Sequence, residues 1–340
     1  MKNNRRRTVV ITGASAGVGR ATAHAFAREG ARIGLLARDE NRLEAVRQEV
    51  VELGGEGLIL AADVADADQV ELAAARVEEV FGPIQVWVNN AMVSVFSSFK
   101  DMTADEFRRV TEVTYLGVVY GTSAALGRMI PRNSGTVIQV GSALAERSIP
   151  LQSAYCGAKH AIRGFTDSIR SELIHDRSRV HITMVQLPAM NTPQFDWTKS
   201  RMPFKPQPVP PIFQPEVAAD AIVWSSHHRR RELYVGMPTV KAMWGNKLIA
   251  GLLDRYLSQK GYSGQQTEEL EERDRPNNMW HPVEGDFGAH GRFDARAGYQ
   301  CKELWLAKNK WLGMGLITTG IGAALALSLK GRFSTTRPSS

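Results

Sequence analysis

The chain has 340 residues, 43% of them hydrophobic, and a net charge of +7. That length allows one large α/β domain with an appendage. Two cysteines, Cys156 and Cys301, exclude a disulfide framework and any zinc-type spacing, and they suit a reducing compartment.

Part of the charge sits in Arg5-Arg6-Arg7 and in His227-His228-Arg229-Arg230-Arg231. No nucleic-acid recognition motif accompanies these runs, so nucleic acid is not expected as a partner. No apolar stretch follows the first run before the first strand, so no secretory signal is expected. Thr8-Val9-Val10-Ile11-Thr12 has the β-branched composition of a strand. Gly13-Ala14-Ser15-Ala16-Gly17-Val18-Gly19 follows, and then an alanine-rich helical stretch to Gly30. Strand, glycine loop and helix form the context of a dinucleotide site. The glycines let the backbone approach a pyrophosphate, and the helix N-terminus offers it free N–H groups.

The second strand, Arg32–Ala37, ends in Arg38. An acidic residue there would suit the ribose 2′-hydroxyl of NAD; an arginine suits a 2′-phosphate. The spacing therefore predicts NADP(H), with Asp39 capping the next helix. Further strands are expected at Leu58–Leu60, Ile84–Val88, Thr136–Val140 and Glu232–Val235. A helix is expected over Asp105–Ile130, opened by a capping box of Thr103 and Glu106. Alternating strands and helices predict a doubly wound parallel sheet of Rossmann type.

Ser142 follows the strand at Thr136–Val140, and Tyr155 and Lys159 lie thirteen and seventeen residues beyond it. A tyrosine and a lysine four apart project from one face of a helix. The ammonium can then stabilise the phenolate, whose free pKa of about 10 is too high for exchange at neutral pH. A serine at a strand end can hydrogen-bond a carbonyl or hydroxyl. Cys156 points away on the same helix and reads as packing.

Together these residues resemble the short-chain dehydrogenase/reductase family over roughly residues 7–240. Thr12 to Gly19 matches its T-G-x-x-x-G-x-G loop, Asp63-Val64 its adenine-contacting pair, and Asn89-Asn90-Ala91 its N-N-A motif. Ser142, Tyr155 and Lys159 match the catalytic residues, and Pro188 and Thr192 match the segment that holds the nicotinamide amide. The resemblance implies that Tyr155 exchanges the proton, that Lys159 binds the nicotinamide ribose and lowers the tyrosine pKa, and that Ser142 orients the carbonyl. It also implies cofactor contacts from Gly13, Ser15, Gly17, Val18, Gly19, Arg38, Asp63, Val64, Asn89, Ala91, Tyr155, Lys159, Pro188 and Thr192, and a homo-oligomer built on the long helices. Thr114 stands where the family has an asparagine that supports a water in its proton relay. Met92 and Ala189 replace two usual glycines.

Residues 189–215 are dense in proline and aromatics. Such a loop either covers an apolar substrate or packs on its own side chains. Beyond the family's usual end, Lys247–Leu257 reads as an amphipathic helix, Glu268–Arg275 as a charged run and Asn277–Gly298 as irregular. His281 and His290 lack metal-ligand partners at helical spacing.

Trp311–Leu329 carries no charge over nineteen residues, with Lys308, Lys310, Lys330 and Arg332 at its flanks. About 20 mainly apolar residues suffice to cross a bilayer, and Trp305 and Trp311 suit its interface. A membrane anchor with the catalytic domain on the cytoplasmic face is expected; a buried helix at a subunit interface is the alternative. The resulting division is a catalytic domain at 1–238, an extension at 239–304 and an anchor helix at 305–332. The expected activity is NADP(H)-dependent hydride transfer to or from a lipophilic carbonyl or alcohol, without a metal. An idle nucleotide-binding sensor and a sugar-nucleotide epimerase are the competing readings. The intact Ser142, Tyr155 and Lys159 weigh against the sensor, and the G-x-x-x-G-x-G spacing against the epimerase.

Overall fold

The computed structural model describes residues 6–272 and 274–309. Seven parallel strands form one sheet: β1 (Thr8–Thr12), β2 (Arg32–Ala37), β3 (Glu56–Ala61), β4 (Val86–Asn89), β5 (Thr136–Val140), β6 (His181–Gln186) and β7 (Glu232–Tyr234). Their spatial order is β3-β2-β1-β4-β5-β6-β7. Val9 lies opposite Ile33 on one side and Val86 on the other. The strands read as near-continuous apolar runs because both sheet faces are covered. Val10, Ile11, Leu35, Trp87 and Ile138 are all fully buried.

The helices are α1 (Gly17–Arg28), α2 (Glu40–Glu52), α3 (Ala67–Phe81), α4 (Ala104–Thr111), α5 (Gly117–Met129), α6 (Ser153–His175), α7 (Pro215–His227) and α8 (Gly236–Lys260). α1 packs on α2 and α7, whereas α3 packs on α5 and α4 on α6. Asp39 caps α2 by accepting from the Arg42 N–H, as its position predicts. Thr103 and Glu106 form the expected capping box at α4. The single helix expected over Asp105–Ile130 is instead interrupted by a π-helical segment, Glu112–Leu116, a distortion that often marks a functional site.

The extension departs further from its sequence pattern. α8 runs well beyond the expected Lys247–Leu257 at both ends. The charged run begins inside a strand, Gln266–Leu270, paired antiparallel with Phe204–Pro206. Asn277–Gly298 is irregular apart from one turn at Asp294–Arg296 and a two-residue strand at Ala297–Gly298. One compact unit runs from Met1 to Cys301, so the expected boundary at residue 238 falls inside it. A second unit, Lys302–Ser340, carries a short helix at Lys302–Lys308. Trp311–Leu329 lies outside the described residues. Among the described residues, no helix is long and apolar enough to cross a membrane.

Candidate active site

The strand order reverses between β1 and β4, and a crevice outside the strand C-termini at such a point is where open α/β sheets take ligands. A cleft of about 400 Å³ opens there. Gly13 and Gly17, at φ +67° and +56°, make the turn from β1 into α1. A Cβ on Gly13 would lie 2.8 Å from the Ala91 Cα, so the loop and the end of β4 are in backbone contact. Thr12 Oγ1 accepts from the N–H groups of Asn90 and Ala91 at 2.9 and 3.0 Å and fixes that contact.

Gly13, Ser15, Gly17 and Val18 line the cleft, as do Asp63, Val64, Ala91, Pro188 and Thr192. Two expected contacts do not. Gly19 is a packing glycine: a Cβ there would come within 2.0 Å of the Gly13 carbonyl oxygen. Asn89 is fully engaged below the site. Its side chain accepts from Trp87 Nε1 at 2.7 Å and donates to Gln139 Oε1 at 2.9 Å and Thr122 Oγ1 at 3.1 Å. Asn90, its neighbour, is the asparagine that reaches the cleft.

The end of the cleft beside Arg38 and Asp63 is built around a segment from the extension, Asn278–Phe293, which crosses it as a strap. Arg38 lines the cleft, but its guanidinium donates to the carbonyl oxygens of Asn278 at 2.6 Å and Trp280 at 2.9 Å. Arg109 donates to the Met279 carbonyl at 3.1 Å and pairs with Asp63. Arg20 pairs with Asp286, and the Gly17 N–H donates to the Gly288 carbonyl at 3.2 Å. Arg42 donates through Nε to the Gly285 carbonyl at 2.6 Å, and its guanidinium lies 5.2 Å from the Trp197 ring centre and 5.0 Å from that of Phe287. Arg42 Nη2 is buried and has no hydrogen-bond partner among the described residues, and the side chain lines the cleft. Sequence reasoning missed Arg42; the available signal was a second arginine in the first turn of the helix that Asp39 caps.

At the other end stand the three residues the spacing predicts. Gly141 carries the chain out of β5 against Gln186, whose Oε1 accepts from the Ser142 N–H at 2.9 Å. Ser142 Oγ accepts from the Leu144 N–H at 3.1 Å and faces the Tyr155 hydroxyl across the cleft lining. Lys159 is buried, and its Nζ donates to the Val140 carbonyl at 2.7 Å. Burial pushes the Lys159 pKa down to about 8. Burial also raises that of Tyr155, while Ser142 pulls it the other way. The expected depression of the Tyr155 pKa by Lys159 is not seen in the structure, where desolvation sets the direction of the shift.

Thr114 is not placed as expected of a relay residue. It is fully buried in the π-helical segment, accepts from the Val93 N–H at 3.1 Å and donates to the Val93 carbonyl at 2.9 Å. A threonine reaches one backbone unit with both functions, so its hydroxyl pins the chain after β4. Val113, not Thr114, lines the cleft.

The proline-rich loop supplies an apolar wall, including Met190, Phe195, Trp197 and Val209. Phe195 packs between Phe96 and Phe293, with ring centres 6.1 and 5.8 Å away. Both sequence readings of this loop therefore hold a part: it faces the cleft, and it packs on aromatic neighbours.

A family model described as short chain dehydrogenase matches residues 7–202. An uncharacterized oxidoreductase, YxnA, of Bacillus subtilis is 33% identical over 283 residues, which cover 82% of this chain and 77% of that protein. The human dehydrogenase/reductase SDR family member 7 is 37% identical over 169 residues, covering 48% of this chain and 50% of that one. The 3-dehydrosphinganine reductase of Danio rerio is 31% identical over 223 residues, 63% of this chain and 67% of that one. Among solved structures, the alcohol dehydrogenase of Thermococcus sibiricus complexed with 5-hydroxy-NADP aligns with a TM-score of 0.59 and 30% identity, over 68% of this chain and 96% of that one. A metagenomic short-chain oxidoreductase in complex with NADP aligns with a TM-score of 0.57 and 26% identity, over 67% of this chain and 96% of that one. With the match over residues 7–202 and a glycine loop, serine, tyrosine and lysine converging on one cleft, the chain belongs to the short-chain dehydrogenase family of oxidoreductases.

Proposed function

We propose that the protein is an NADP(H)-dependent oxidoreductase that interconverts a lipophilic carbonyl compound and its alcohol. The observation that carries this reading is the meeting of Ser142, Tyr155 and Lys159 in the same cleft as Gly13, Gly17 and Val18. When bound, the nicotinamide supplies the hydride. Tyr155 holds the proton that passes to the substrate oxygen. Ser142 fixes that oxygen by a hydrogen bond. Lys159, tied to Val140, presents its charge toward the tyrosine and the cofactor ribose.

The residues present fit the nucleotide. The positive-φ glycines admit a phosphate against the backbone. Arg42 Nη2, buried and without a hydrogen-bond partner among the described residues, has the chemistry of a 2′-phosphate ligand. Two of the similar solved structures hold NADP or a derivative of it, which supports the same assignment. Arg38 contributes charge nearby while its N–H groups hold the strap.

The apolar lining by Leu144, Ile149, Met190, Phe195 and Val209 supports a lipophilic substrate. Similarity to a 3-dehydrosphinganine reductase supports a ketone on a long aliphatic chain. The uncharged Trp311–Leu329 supports a C-terminal membrane anchor with the catalytic domain in the cytoplasm, and the long helices support a homo-oligomer. The test is NADPH and NADH oxidation by the purified full chain over a panel of long-chain and short-chain ketones and aldehydes. Turnover with NADPH and a lipophilic carbonyl is expected. Failure across the panel in both directions, with NADPH still bound, would leave a nucleotide-binding protein without this activity.

A further inference from the structure

Helix α8 exposes a row of large apolar side chains. Trp244, Leu248, Leu252 and Tyr256, spaced four apart, are 54%, 74%, 62% and 60% exposed. Spacing of four keeps side chains along one side of a helix, and the helix bends at Ile249, whose φ of −138° and ψ of 38° are not helical. The opposite side holds the helix to the enzyme. Asn246 donates to the Glu146 carbonyl, Arg147 reaches Asn246 and Asp254, and Gly261 sits against Pro150. This is the segment directly after Ser142. Pro238, at the start of α8, lines the cleft together with Leu144 and Ile149.

The charges of this helix are one-sided. Lys241, Lys247, Arg255 and Lys260 are opposed only by Asp254, which is paired with Arg147. Lys247 lies 5.7 Å from the Trp244 ring centre. Long basic side chains around an apolar row, with tryptophan and tyrosine at its ends, suit the headgroup region of an anionic bilayer. The sequence also carries the uncharged Trp311–Leu329, long enough to enter a bilayer. We propose that the exposed face of α8 lies in the surface of an anionic membrane and sets the rim of the cleft against it. A lipophilic substrate then passes from the bilayer into the cleft without crossing water. This last step rests on the oxidoreductase reading; the docking itself does not.

The experiment uses the full chain with Cys301→Ser. An environment-sensitive fluorophore is placed at Leu252→Cys or, as control, at the exposed Leu72→Cys on α3. Each protein is mixed with vesicles of phosphatidylcholine and phosphatidylserine carrying spin-labelled lipid. Quenching is expected at position 252 and not at 72. Equal signals at the two positions would overturn the proposal, as would protein that stays off the vesicles. So would shielding of position 252 without lipid in a protein that sediments as a dimer, which would make this face a subunit contact. A second arm tests the consequence. With Trp244→Glu, Leu248→Glu and Leu252→Glu combined, the KM for a vesicle-borne ketone should rise by about ten-fold or more, because burial of the apolar face in the interface is lost. Turnover of a water-soluble carbonyl should stay unchanged. Position-specific quenching without turnover of any carbonyl would retain the docking and remove the oxidoreductase reading. An unchanged KM for the vesicle-borne ketone would overturn the access route.

Discussion

The Lys159 ammonium lies 5.5 Å from the centre of the Tyr155 ring, one helical turn away, and is anchored to the Val140 carbonyl. The cation is therefore held beside the phenol by the end of β5 rather than by solvent. If Tyr155 holds the transferable proton, Tyr155→Phe removes it and changes little else. Turnover should fall by about 10²–10⁴-fold, the usual worth of a positioned acid. NADPH affinity, read by fluorescence titration, should stay within about two-fold, since Tyr155 contributes little to holding the nucleotide in this reading. Wild-type turnover by the variant would assign the proton to another group.

Burial pushes the Lys159 pKa down to about 8, against about 10.4 for a free lysine. Below pH 8 both folded and unfolded chains carry the proton, and the desolvation cost is fully present. Between pH 8 and about 10.4 the unfolded chain binds more protons, so this group makes the protein more stable as pH rises. A tenfold difference in proton affinity between the two states corresponds to about 1.4 kcal/mol. Burial raises the Cys156 pKa and acts in the opposite sense in part of the same range. The measurement is therefore a difference: denaturant unfolding of the nucleotide-free wild type and of Lys159→Met from pH 7.5 to 10. Wild type should gain stability relative to the variant across that range. Parallel curves would mean that the ammonium is not desolvated.

Arg38 and Arg42 divide two tasks that the sequence assigned to one residue. Arg38 holds the strap, while Arg42 keeps a buried Nη2 free. Arg42→Ala should weaken NADPH by about 10–100-fold and NADH hardly at all, the worth of one or two charge-assisted hydrogen bonds. Arg38→Ala should loosen the strap and weaken both nucleotides. Isothermal titration of both variants with both cofactors separates the two roles. Loss of NADPH preference in Arg38→Ala alone would return the 2′-phosphate to Arg38.

What the sequence revealed and what it hid follow from one physical difference. Thr8–Thr12, Arg32–Ala37 and Thr136–Val140 are short apolar runs buried by their own sheet, so composition finds them at the residues observed. Ser142, Tyr155 and Lys159 were legible because their spacing is local to one strand end and one helix. Asn89 and Asn90 are adjacent and of one type. Only the pleat of β4, which turns successive side chains to opposite faces, sends Asn89 into the core and Asn90 to the cleft. The strap was illegible because its anchors are backbone carbonyls met by Arg38, Arg42 and Arg109 from more than 160 residues away. No periodicity records such contacts.

Thr114→Ala tests whether this residue positions the chain or relays protons. The change leaves the buried N–H and carbonyl of Val93 without their partner, and each such group costs about 1–3 kcal/mol. Unfolding should show a loss of about 2–4 kcal/mol. Thr114→Ser, which keeps the hydroxyl, should recover most of it. A relay role would instead give a drop in turnover with stability unchanged in Thr114→Ala.

The nineteen uncharged residues Trp311–Leu329 predict the behaviour of the whole chain in a cell extract. Insertion of a segment of that length buries apolar surface, a term that salt does not weaken. Attraction between the basic runs and anionic lipid is screened within about 10 Å at 0.1 M salt. The two kinds of attachment therefore part under a high-salt and carbonate wash. The full chain should stay with the membrane pellet. A chain ending after Leu304 keeps only the α8 face, which lies in the bilayer surface and does not cross it, so it should leave the pellet in the combined salt and carbonate wash and should still bind NADPH. Release of the full chain by salt would make Trp311–Leu329 a helix buried against protein. Retention of the truncated chain through carbonate would place the anchor upstream of residue 305.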